Sequence, residues 1–167
     1  MEANATVPVR LERGAARLSG RLSVREDENR IRVRGPHYTI SLSRTRFSVF
    51  ESWKVDGREL TDGEGDLVVE DPAGKRYYGS NAAGLAVSVR EAGPMRVVVD
   101  ATGRHTAGDG SELLSFRLRY TFRRGDPCVQ IAYRFTNREM PEKGVSVSLI
   151  RMTLRGPVGR RPVEVVA

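Results

Sequence analysis

The sequence predicts an all-β fold, an antiparallel β-sandwich with little or no helix. Apolar and polar residues alternate with period 2 over long stretches, most clearly between Gly93 and Asn137. Seventeen Gly and eight Pro fall singly between β-branched runs, which marks turns rather than disorder. Turn signals recur about every 8–12 residues, the spacing of a sandwich, and no segment keeps a helical period.

In chain order, Thr6–Leu11 alternates weakly through Val7, Val9 and Leu11, as a first strand would. Leu18–Val24 reads as an edge strand, because Gly20 inside it disfavours a helix turn. Arg25–Arg30 is a charged loop. Ile31 and Val33 alternate with Arg32 and Arg34 up to the Gly35-Pro36 break, and Tyr38, Ile40 and Leu42 alternate with Thr39, Ser41 and Ser43. Phe47–Glu51 carries aromatics on both sides, as a strand covered on both faces. Trp53–Val55 and Arg58–Leu60 flank Asp56-Gly57, a dipeptide tolerant of positive φ and a strong hairpin signal.

Leu67–Glu70 and Lys75–Tyr78 form a further hairpin across Asp71-Pro-Ala-Gly74, and Gly79–Gly84 is expected as a small-residue loop. Leu85, Val87 and Val89 alternate on one side of the next strand. Met95, Val97, Val99 and Ala101 then face one way, with Arg96, Val98, Asp100 and Thr102 opposite. Leu114, Phe116, Leu118, Tyr120 and Phe122 oppose Ser115, Arg117, Arg119, Thr121 and Arg123. Across the Gly125-Asp126-Pro127 turn, Val129, Ile131, Tyr133 and Phe135 oppose Gln130, Ala132, Arg134 and Thr136. Val145–Leu154 is the last expected strand, with a phase slip at Leu149-Ile150 that suggests a bulge or a change of cover. The domain expected is 1–154, with 155–167 an irregular tail or linker.

The formal charge is +7, and 25 of the 28 basic residues are arginine. Guanidinium groups bind carboxylates and phosphates through a bidentate fork, so an anionic partner fits the composition. A general arginine bias of the genome explains it equally. Cys128 is alone, so no internal disulfide forms; with two histidines and no Cys/His cluster, neither metal nor cofactor is expected. No apolar run is long enough for a membrane span. Met1–Thr6 has neither a basic n-region nor an apolar h-region, so no export signal is read there. The compartment stays open: bacterial cytoplasm, or export as part of a longer protein.

Arg117, Arg119 and Arg123 share one face of their strand, Arg134 points the same way from the next, and Arg96 lies on the strand before. Such a cluster can bind uronate carboxylates; a solvated outer face is the plainer reading. Arg104-His105 lies near a hairpin end, where the histidine is either a general base or a surface residue. Tyr77 and Tyr78 must split between the faces. Tyr120 and Tyr133 fall by parity on the apolar side, which argues against a single-stranded nucleic acid platform. Arg124-Gly125-Asp126 is explained as a hairpin turn.

Gly93-Pro-Met-Arg-Val-Val-Val-Asp-Ala-Thr-Gly-Arg-His105 and Leu118–Asn137 resemble segments of the exo-rhamnogalacturonan lyase-like (YetA-like) proteins of bacteria and fungi. Val55-Asp-Gly57 and Asp71-Pro-Ala-Gly74 are similar in order and spacing, and the likeness covers most of residues 30–154. The resemblance implies a galactose-mutarotase-like supersandwich and a role in pectin breakdown, alongside an N-terminal barrel and a C-terminal α/α toroid in the family's full proteins. Its chemistry is β-elimination from galacturonate, in which a base removes the proton α to a carboxylate neutralised by a cation. No catalytic motif of the family is matched. The expectation is therefore a non-catalytic module, acting as scaffold or contacting acidic pectic glycan through Arg104, His105, Arg117, Arg119 and Arg134, with neighbouring domains as partners. A structural or protein-interaction domain with a merely solvated basic face is the alternative.

Overall fold

The computed structural model describes residues 20–137 and 144–156, and the backbone of 163–166. The described residues form two antiparallel sheets. The smaller is a meander in chain order: β1 (Ser23–Glu26), β2 (Arg30–Arg34), β3 (Tyr38–Ser43), β4 (Ser52–Val55) and β5 (Arg58–Glu59). The larger contains β6 (Asp66–Glu70), β7 (Arg76–Ala92), β8 (Arg96–Thr106), β9 (Glu112–Arg123), β10 (Val129–Thr136), β11 (Leu149–Leu154) and β12 (Val163–Val166). Its order is β10-β9-β8-β7-β6-β11-β12.

Alternation builds the core as expected. Ile31, Val33, Tyr38, Ile40 and Leu42 project from the smaller sheet. They meet Leu67, Val97, Val99, Phe116, Leu118, Tyr120 and Phe122 of the larger one. The β4–β5 hairpin turns at Asp56 (φ 47°) and Gly57 (φ 82°), the backbone that its Asp-Gly sequence favours.

Several boundaries differ from the sequence reading. Phe47–Glu51 is no strand. Phe47, Val49 and Phe50 are all buried because this irregular segment threads between the sheets. It is tied down by Val49 N–H donating to the Gly65 carbonyl (3.1 Å), Glu51 N–H to Ser41 (3.0 Å) and the buried Tyr120 hydroxyl to Val49 (2.6 Å). Gly79–Gly84 is not a loop but the bulged middle of β7, whose pairing with β8 shifts register between Tyr78 and Ala83 and again before Ala86. Small side chains there leave the backbone free to pair.

Arg25 and Glu26 belong to β1 rather than to the charged loop, which narrows to the turn before β2. The phase slip at Leu149-Ile150 marks the start of β11, not a bulge within a longer strand. Inside the expected irregular tail, the β12 backbone pairs with β11, Leu154 opposite Val163. The expected Thr6–Leu11 strand, and Leu18-Ser19 of the next, lie outside the described residues.

Candidate functional site

The outer face of the larger sheet is set by β9. Its even-numbered residues from Leu114 to Phe122 are buried, so Ser115, Arg117, Arg119, Thr121 and Arg123 turn outward. Strand register then fixes the neighbours. Arg117 stands directly opposite Arg134 on β10 and Thr102 on β8, and Ser115 stands opposite Arg104. A groove of about 590 Å³ crosses β7 to β10 here, lined by Arg90, Arg104, Arg117 and Arg134 with the hydroxyls of Thr102 and Ser115.

Beneath its edge lies a carboxylate. Asp100 is 1% exposed although it points to the outer face. Arg119 grips it in a fork, Nε to Oδ1 at 2.8 Å and Nη2 to Oδ2 at 2.9 Å, while Arg90 and Arg117 approach within 3.4 and 3.9 Å. These guanidinium groups cover the carboxylate and, led by the Arg119 hydrogen bonds, hold its pKa below the usual range. Arg119 is thereby engaged and does not line the groove. Arg96 and Arg123 face one another at the far end of the strands, where they bind Glu91 (2.9 Å) and Gln130 (3.1 Å).

Within the groove, Arg104 pairs with Glu112. Arg117 and Arg134 are like charges at directly opposed positions, an arrangement that destabilises a sheet. Arg134 is exposed and makes no ion pair with any described residue. Two outward guanidiniums side by side, with hydroxyls around them, can take up a carboxylate through charge-assisted hydrogen bonds.

His105 is neither in the turn nor at the surface. It lies in β8 on the core side, with no exposed area. The Leu114 carbonyl can only accept, so Nδ1–H donates to it at 2.8 Å, and Nε2 accepts from the Tyr133 hydroxyl at 2.7 Å. The ring packs on Phe116 at 5.0 Å. Burial pushes its pKa down to about 4, so the imidazole is neutral at pH 7, with both nitrogens occupied. In this arrangement His105 cannot touch a ligand on the outer face. His37 is exposed beside Asp56 (3.3 Å) in the turn before β3, and it does not line the groove.

The expected shared face of Arg117 and Arg134 is found, Arg104, expected apart from them near a hairpin end, lines the same groove, and Arg90 and the role of Asp100 are not legible in the arginine pattern. Parity had already placed Asp100 on the arginine side; an acid inside an arginine cluster was the available signal. Among the described residues, no three acidic, His or Cys side chains come together as a metal site.

A family model described as "PcRGLX-like protein central beta sandwich domain" matches residues 22–150. No curated protein matches the chain.

Proposed function

Because the chain belongs to the PcRGLX-like family as its central β-sandwich, a domain of a rhamnogalacturonan lyase-like protein, we propose that it holds acidic pectic glycan on the outer face of its larger sheet. The observation that carries this reading is the opposed Arg117–Arg134 pair, whose mutual repulsion a bound uronate carboxylate relieves. Arg104 and Arg90 flank the pair, and Thr102 and Ser115 offer hydroxyls to the sugar. Asp100 holds Arg119 and steadies Arg90 and Arg117 from below.

The role is contact rather than bond cleavage. β-Elimination needs a base within reach of the proton beside the neutralised carboxylate. Neither histidine supplies it: His105 lies on the opposite face of the sheet with both nitrogens bonded, and His37 lies in the turn before β3 beside Asp56. Incubation with rhamnogalacturonan should give no rise in ultraviolet absorbance from unsaturated product. Affinity electrophoresis through gels containing rhamnogalacturonan or polygalacturonate at low salt should retard the chain, and Arg117→Gln should abolish most of the retardation. Equal mobility with and without glycan refutes the reading.

A second reading rests on β10, the edge of the larger sheet among the described residues. Val129, Ile131 and Tyr133 on its core side are half-covered, and Phe135 is 45% exposed. A neighbouring domain of the same polypeptide would bury this strip. Hydrogen exchange at β10 amides should slow in a longer polypeptide carrying that domain; unchanged exchange removes this reading.

A further inference from the structure

The outer face carries a second groove. The expected split of Tyr77 and Tyr78 is realised in β7: Tyr77 is buried opposite Val69, and Tyr78 stands half-buried on the other face. Tyr78 pairs with Val68 of β6, which pairs in turn with Arg151 of β11. A groove of about 380 Å³ surrounds this row and takes in Arg46, Arg76, Ser80 and Thr153. Two of its arginines are matched by carboxylates, Arg76 by Glu70 at 2.8 Å and Arg155 by Glu64 at 3.0 Å, while Asp66 accepts from the Ser80 hydroxyl at 2.6 Å and from Ser80 N–H at 2.8 Å. Arg46 makes no ion pair with any described residue. The groove thus combines an aromatic ring, hydroxyls and the Arg46 guanidinium, which acts through space on the Asp66 carboxylate in the groove. Aromatic faces take the apolar side of a sugar ring, and polar groups at their rim fix its orientation.

The two grooves share β7. The strand between them reads Ser80-Asn-Ala-Ala-Gly84, with Asn81, Ala83 and Gly84 exposed, so no bulky side chain stands between them. Arg134 on β10 and Arg151 on β11 lie five inter-strand steps apart, about 24 Å across the strands, in rows that meet β8 at Thr102 and Thr106, a further offset of about 13 Å along it. That length exceeds one sugar ring several-fold.

We infer that the two grooves are the ends of one track for an acidic oligosaccharide, anchored by the Arg117–Arg134 pair at one end and stacked on Tyr78 at the other. The inference rests on the glycan contact proposed above and adds to it a length requirement and a second anchor. Two linked anchors raise affinity through effective concentration without any new contact at either.

Calorimetric titration of the full chain with a galacturonate dimer, and with an oligogalacturonide long enough to span the sheet, tests it. The long chain should bind at least ~10-fold tighter than the dimer. Tyr78→Ala should bring the long chain to the dimer's affinity and leave the dimer unchanged, whereas Tyr78→Phe should keep the advantage. Arg134→Gln should weaken both ligands. Equal affinity of dimer and long chain, or an undiminished advantage in Tyr78→Ala, overturns the track while leaving the arginine site standing. Absence of binding by both ligands overturns the arginine site and the track with it.

Discussion

Arg134→Gln separates a ligand-binding arginine from a solvating one, because the two roles move stability and affinity differently. Arg134 faces Arg117 directly across β9 and β10 and has no ion pair with a described residue. Like charges at such a position cost a sheet about 0.2–1 kcal/mol. Glutamine keeps much of the aliphatic stem and removes the charge, so the variant should be more stable by up to that amount. The urea midpoint should rise at unchanged m-value. The same change deletes a charge-assisted hydrogen bond to a uronate, worth about 1.5–3 kcal/mol, so binding should weaken roughly 10- to 150-fold. Denaturation and titration of the same preparation read both numbers. A gain in stability with a loss of affinity supports the site. Unchanged affinity, or a fall in the midpoint, refutes the reasoning, since a merely solvated arginine loses no ligand and a structural one loses stability.

Asp100→Ala should destabilise the fold by about 1–2 kcal/mol, below the 3–5 kcal/mol of a fully buried pair because Arg119 can turn to water. It should also weaken glycan binding by loosening Arg90 and Arg117. The Asp100 pKa is depressed in the fold, so its contribution is complete above about pH 3.9 and is lost as pH falls through the lower folded value, which acid titration of stability reads. For His105 the folded pKa is about 4 against 6.5, so the unfolded chain binds the extra proton. Stability should fall as pH drops from about 6.5 to 4, by ~3 kcal/mol in total, and His105→Gln should flatten that window in pH-dependent urea melts. Tyr120→Phe should cost about 1–3 kcal/mol in thermal or urea unfolding, because the Val49 carbonyl is left buried without its donor.

Much of the sandwich was legible because one wet face and one dry face write period 2 into the chain. Leu114 to Phe122 reads directly as an inner row, and the arginines opposite as an outer one. Asp56-Gly57 declares its turn through backbone chemistry. Phe47–Phe50 misled because alternation reports sides, not pairing: a segment buried all round carries apolar residues at both parities, whether or not it joins a ladder. Ser80–Gly84 misled in the opposite way, since small residues signal loops although their backbone pairs in a bulged strand as readily.

At the site, parity gave the company each arginine keeps but not its engagement. Arg119 and Arg117 are equivalent in sequence pattern, yet only Arg119 closes a fork on Asp100, because the β8–β9 register sets Asp100 directly opposite Arg119 and Thr102 opposite Arg117. The burial of His105 was readable in principle: it shares parity with Val97, Val99 and Ala101. Its position beside a turn outweighed that signal. The Tyr133 hydroxyl that occupies its second nitrogen comes from 28 residues away and left no trace in local pattern.

The most direct test of the account compares native polygalacturonate with the same polymer after its carboxyls are reduced to alcohols, titrated against the chain and against Arg117→Gln at low salt. The account predicts binding of the native polymer that weakens as salt rises, loss of binding on carboxyl reduction, and a matching loss in the variant. Equal binding of native and reduced polymer, or no difference between the chain and Arg117→Gln, would contradict it.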